Sequence, residues 1–109
     1  MMVHAGFELN GQSLSLKVNN QMQILLPSNP STGYMWVEKG IAASLHNLQL
    51  DCSDLMTDGP VGQYGKGGFQ RWVFTAVSPG HSVIIFHYQQ PWDEMAVDQT
   101  YKLTVVVSE

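Results

Sequence analysis

The chain has 109 residues, of which 44% are hydrophobic and 13% charged, and a formal net charge of -4. That is enough chain for one domain with its own core, and the apolar content excludes a disordered polymer. Five Lys and Arg against nine Asp and Glu leave no electrostatic footprint for nucleic acid and no polybasic anchor for a membrane surface.

Residues 1–12 lack a basic segment followed by a continuous apolar run, so no signal peptide is read there. A cytoplasmic location is slightly favoured, although a trimmed exported form would read the same way. From residue 13 the period is two. Leu14, Leu16 and Val18 alternate with Ser13, Ser15 and Lys17. Beyond Asn19-Asn20, Met22, Ile24 and Leu26 alternate with Gln21, Gln23 and Leu25, which reads as two strands joined by a tight turn. Tyr34 to Glu38 is a third strand with Trp36 toward the core, and residues 40–47 have room for a helical turn from Ile41 to Leu45. Leu48 and Leu50 mark a fourth strand, with Cys52 continuing its apolar face. Residues 59–68 form a Gly-rich loop, a kind of long connection that is often functional. Strands follow at 69–77 (Trp72, Phe74 and Ala76 on one face), at 82–88 (Ile84, Phe86, Tyr88) and through Tyr101, Leu103, Val105 and Val107.

β-branched and aromatic residues dominate these runs, as a pleated half-buried surface favours. Pro27, Pro30, Pro60, Pro79 and Pro91 all fall between strands or at their ends. The fold class this predicts is all-β: one domain over residues 1–109, an immunoglobulin-like antiparallel sandwich of about seven or eight strands. Apolar stretches as short as Val83-Ile84-Ile85-Phe86 exclude a transmembrane helix. Cys52 is the only cysteine, so no internal disulfide forms; this fits a reducing compartment, though exported domains can also lack disulfides.

Residues that would serve catalysis or metals are scattered. Cys52, on an apolar strand face, is expected to be a buried and inert thiol. His4, His46, His81 and His87 have no metal-site spacing, and Asp51, Asp54 and Asp58 do not form a calcium loop. Asp93 and Glu94 are adjacent, which suits rim contacts better than acid–base work. Gly65-Lys66-Gly67-Gly68 leads into a strand rather than a helix, which excludes a phosphate cradle. No enzyme activity, cofactor or metal is expected.

Three interruptions of the strand pattern carry the functional signal. Asn29-Pro30-Ser31-Thr32-Gly33 is a turn by composition, followed by Tyr34-Met35-Trp36. Tyr64 precedes Gly65-Lys66-Gly67-Gly68, whose glycines permit close approach to another backbone. Gln90-Pro91-Trp92 places an aromatic on a loop beside two carboxylates, the kind of residue that anchors binding surfaces. Each alone is an ordinary connection. In this order and spacing they resemble the three inhibitory loops of the chagasin family, protein inhibitors of papain-like cysteine proteases. The resemblance runs from about Leu14 to Val107. It departs at Gln90, where the family usually has Arg.

The resemblance implies a reversible, competitive, tight-binding inhibitor whose three loops occlude the active-site cleft of a papain-like cysteine protease, cathepsin L-type among them. By that implication Thr32 sits at the catalytic centre, the second loop lies along the non-primed subsites with Tyr64 toward S2, and Trp92 grips the primed side. The inhibitor would act as a monomer. The rival reading is a non-catalytic module for carbohydrate or another protein, with Trp92 and Tyr64 as its platform. A purely structural domain is the third.

Overall fold

Alternation of apolar and polar side chains is realised as eight strands in the computed structural model, which describes residues 2–28, 33–39, 47–57, 68–90, 92–93 and 95–109. They are β1 (Met2–Ala5), β2 (Ser13–Lys17), β3 (Gln21–Ser28), β4 (Met35–Lys39), β5 (Leu48–Thr57), β6 (Gly68–Ala76), β7 (Gly80–Gln89) and β8 (Gln99–Ser108), with a 3-10 turn at Phe7–Leu9. One sheet has the order β1-β3-β6-β5 and the other β2-β8-β7-β4. Their inner faces supply the core: Met22, Ile24, Leu26, Trp72, Phe74 and Ala76 from one, Ile84, Phe86, Tyr101, Leu103, Val105 and Val107 from the other. Each such burial contributes about 1.5–3 kcal/mol for the larger aliphatic and aromatic side chains. The Trp72 ring stacks on Phe86 across the two sheets, with centroids 4.1 Å apart.

The sandwich departs from the expectation in three places. β2 and β3 do not pair with each other: β2 runs parallel to β8, and β3 lies between β1 (parallel) and β6 (antiparallel). The Asn19-Asn20 turn therefore carries the chain from one sheet to the other. Asn19 takes φ 77° there, and the turn is tied down by Asn19 N–H to Ala76 C=O and Ala76 N–H to Asn20 C=O. β1 is an additional strand that four residues with one buried side chain, Ala5, do not advertise.

Cys52 is exposed, contrary to its expected burial. A bulge at Asp51 is the reason. Leu48 and Leu50 pair with the inward-facing Ala76 and Phe74, but Cys52 pairs with Val73. The extra residue reverses the phase of the strand, so the thiol shares the outer face with Val73. The helical turn expected at Ile41 to Leu45 lies outside the described residues.

Tyr101 shows what the core demands of a polar tip. Its hydroxyl donates to Gly6 C=O at 3.0 Å. Burial, with a smaller contribution from the Glu8 charge, pushes its pKa up to about 12.

Candidate functional site

Strand pairing brings the loop roots together. On one sheet Ser28, where the chain enters the first loop, pairs with Gly68, where it leaves the second, and Gly68 pairs in turn with Thr57 on the strand that leads into the second. On the other sheet Met35, just past the first loop, pairs with Gln89, just before the third, while Tyr88 pairs with Gln99, just after it. All three connections therefore leave from the same end of the sandwich. The opposite end holds the short turns at 18–20 and 77–80.

First and third loops also touch. Gly33 has φ +81°, a conformation that L side chains rarely adopt. A Cβ there would lie 3.4 Å from the Trp92 ring and 3.6 Å from the Gln90 side-chain nitrogen. Gly33 thus lets the indole and the Gln90 amide lie against the base of the first loop.

The third connection is held at both ends. Asp93 N–H donates to Gln90 C=O at 2.9 Å, Met95 N–H to the Asp93 carboxylate at 3.2 Å, and Asp98 N–H to Tyr88 C=O at 2.9 Å. On this frame Trp92 is 74% exposed and Met95 95% exposed, so neither caps the core. Met35 and Val97 add partly exposed apolar surface nearby in the chain. Sequence reasoning singled out Trp92 and quoted Met35 within the first-loop motif, but missed Met95, because an isolated Met in an irregular segment carries no periodic signal.

Beneath the loops the two sheets are clasped by side chains. Trp36 Nε1 donates to Pro27 C=O at 2.8 Å, joining the two flanks of the first loop. The Gln70 amide, buried on β6, accepts from Trp36 N–H at 2.7 Å and donates to Trp36 C=O at 3.1 Å. Trp72 Nε1 donates to the Glu38 carboxylate at 2.9 Å, a second link between β6 and β4. Tyr88 lies 5.0 Å from Trp36 and 5.7 Å from Tyr34 by ring centroids, so aromatic packing supports both the first and the third loop. The Ser28 hydroxyl and both ends of the Gln89 amide are buried at this end without a hydrogen-bond partner among the described residues.

Of the predicted binding residues, Gly33, Gly68, Gln90 and Trp92 are described. Gly68 is the first residue of β6 and closes the second loop as part of the sheet. Asn29, Pro30, Ser31, Thr32, Tyr64, Gly65, Lys66, Gly67 and Pro91 lie outside the described residues. Among the described residues no three His, Cys, Asp or Glu side chains are grouped to hold a metal ion. The Asp54 carboxylate pairs with the Arg71 guanidinium at 2.7 Å, raising the Arg71 pKa through the hydrogen bond and the charge.

Comparison with known proteins matches this frame. Residues 15–105 fit the family model described as Chagasin family peptidase inhibitor I42. Amoebiasin-1 of Entamoeba histolytica is 29% identical over 98 residues, covering 90% of this chain and 92% of that one. Chagasin of Trypanosoma cruzi is 29% identical over 84 residues, 76% of each chain. In three dimensions the cysteine protease inhibitor EhICP2 from Entamoeba histolytica superposes with a TM-score of 0.83 at 20% identity, over 98% of this chain and 96% of that one. Amebosin superposes at 0.78 with 27% identity over 99% of both chains. PbICP-C, solved in complex with falcipain-2, superposes at 0.65 with 19% identity over 99% of this chain and 90% of that one.

Proposed function

Because the chain belongs to the chagasin family of peptidase inhibitors, we propose that it inhibits papain-like cysteine proteases reversibly and competitively, as one domain over residues 1–109. The observation that carries this reading is the convergence of the three loop roots at one end of the sandwich. Loops whose roots are fixed by strand pairing on a rigid sandwich lose less freedom on docking than an unanchored peptide would, which favours tight binding. Such an inhibitor is no enzyme: it fills an active site and offers no scissile bond in register.

In this reading Thr32, with Asn29, Pro30, Ser31 and Gly33 around it, enters the catalytic centre. Tyr64 and Gly65-Lys66-Gly67-Gly68 run along the non-primed side, where main-chain hydrogen bonds supply affinity. Trp92, with Pro91, packs on the primed side and Met95 extends that contact. Gln90 leans on the first loop, as its distance from Gly33 implies. Where the family usually has Arg, this chain buttresses the neighbouring loop with a neutral amide. The partner is an enzyme of cathepsin L type, bound by a monomer.

The test is steady-state inhibition of papain and a cathepsin L-type enzyme over a range of substrate concentrations. The reading predicts nanomolar inhibition that substrate relieves. A folded domain that leaves both enzymes at full rate contradicts it.

A further inference from the structure

β4 is the outermost strand of its sheet, so one row of its backbone groups faces no strand. At Trp36 both backbone groups are met from the opposite sheet instead. Gln70 accepts from the Trp36 N–H at 2.7 Å and donates to the Trp36 C=O at 3.1 Å, both in the buried interior. A side-chain amide presents a donor and an acceptor side by side, as a peptide group does. Gln70 therefore stands in for the strand that β4 lacks.

The position of this contact matters more than its strength. Gln70 follows Gly68, where the second loop ends, by two residues, and Trp36 follows Gly33, where the first loop ends, by three. The Trp36 indole then reaches Pro27 C=O on the near flank of the first loop. A chain of hydrogen bonds, Pro27 to Trp36 to Gln70, crosses the root of the first loop and enters that of the second. Backbone pairing ties these roots only within each sheet; Gln70 ties β4 of one sheet to β6 of the other.

We propose that Gln70 is a positioning residue for inhibition: buried beyond an enzyme's reach, it holds the first and second loops at the spacing a protease cleft requires. The proposal rests on the inhibitor reading above. Without the clasp, β4 keeps its Trp72–Glu38 link to β6 but loses the Gln70 link nearer the loop roots, and part of the ordering cost moves into the complex.

The test measures association and dissociation rates with papain for the wild type, Gln70→Leu, Gln70→Glu and a control, Val107→Ala, whose core truncation lies at the far end. Folding of each is checked by circular dichroism and thermal melting. Gln70→Leu is expected to dissociate about tenfold faster with little change in association, since affinity differences within one interface reside mostly in the off-rate. Val107→Ala is expected to keep both rates despite its lower melting temperature. Gln70→Glu supplies a readout that mere structural support would not move. Its ionised carboxylate accepts from the Trp36 N–H but cannot donate to the Trp36 C=O; protonated, it does both. Burial raises such a carboxyl's pKa, so this variant is expected to dissociate fast at neutral pH and to approach the wild-type rate as pH falls toward about 5. Folded Gln70 variants that dissociate like the wild type at every pH overturn the positioning role alone. A wild type that does not bind papain or a cathepsin L-type enzyme removes the inhibitor reading, and this inference with it.

Discussion

The two ends of the sandwich are built to different standards. At the far end the turns are short and closed by backbone hydrogen bonds, including Asn19 to Ala76, Val77 to Asn47 and Val18 to Ser108. Among the described residues its buried polar cluster is satisfied, with the Ser82 hydroxyl bonded to Asn47, and Gly80 at φ +144° makes room for the Asn47 amide. The loop end does the opposite. It leaves Trp92 and Met95 in solvent and keeps Ser28 and Gln89 buried without partners among the described residues. Exposed anchors and unpaired polar groups are a cost in the free protein. At the far end Val77 is 44% exposed, well short of Trp92 and Met95, and that contrast supports the proposal that the loop end is the binding end.

If that contrast is right, stability and inhibition separate along the long axis. The largest effect is expected at the middle, where both ends depend on the core. Phe86→Ala removes the ring stacked on Trp72 and should lower stability by about 3–5 kcal/mol, read as the urea midpoint, while the remaining folded fraction inhibits normally. Next comes Trp92→Ala. Its ring is 74% exposed, so unfolding should shift by no more than about 0.5 kcal/mol while inhibition weakens by about 2 kcal/mol, roughly thirtyfold. Equal losses in both measurements would show that Trp92 is a core cap after all.

Gln89→Leu inverts the usual direction. Replacing a fully buried amide with no partner among the described residues by an apolar group should raise stability by about 1 kcal/mol or more. A fall in melting temperature would mean that the amide is paired in solution and that the contrast between the ends is weaker than drawn.

The smallest effect concerns alkaline pH. Tyr101 titrates from its ordinary 10.0 up to about 12 because burial disfavours the phenolate. A raised folded-state pKa means that the folded chain holds its proton more tightly than the unfolded one. The associated stability is complete below pH 10 and drains away as pH rises through 12. Absorbance at 295 nm should show one tyrosine ionising late, and Tyr101→Phe should flatten the stability loss over that window.

How much of this was legible in the sequence follows from where one face is buried. β3, β7 and β8 alternate cleanly because each lays one face on the core, β6 does so apart from Gln70 and the buried Val73, and Trp36 and Tyr101 fell on that face as read. β1 was invisible, since its pairing partner is a distant strand and only Ala5 is buried. Cys52 was misplaced because a bulge leaves no mark on local composition and reverses every later side chain. The three loop motifs were legible as residue types. Their convergence at one end was legible too, because alternate connections of such a sandwich lie at the same end; the pairs Ser28–Gly68 and Met35–Gln89, which periodicity within a strand does not determine, are how the fold realises it. Gln70 shows the limit best. A polar residue in an apolar stripe reads as an interruption, and only its contact with the Trp36 backbone reveals what it joins.

The central claim is that one end of the sandwich is the binding end. Amide hydrogen exchange of the inhibitor, free and bound to papain, tests it directly. Slowed exchange confined to 29–35, 64–68 and 89–97, with the turns at 18–20 and 77–81 unchanged, is the result the account predicts. Protection at those far turns, or along the open edge of β5, with the loop end still exchanging freely, would contradict it.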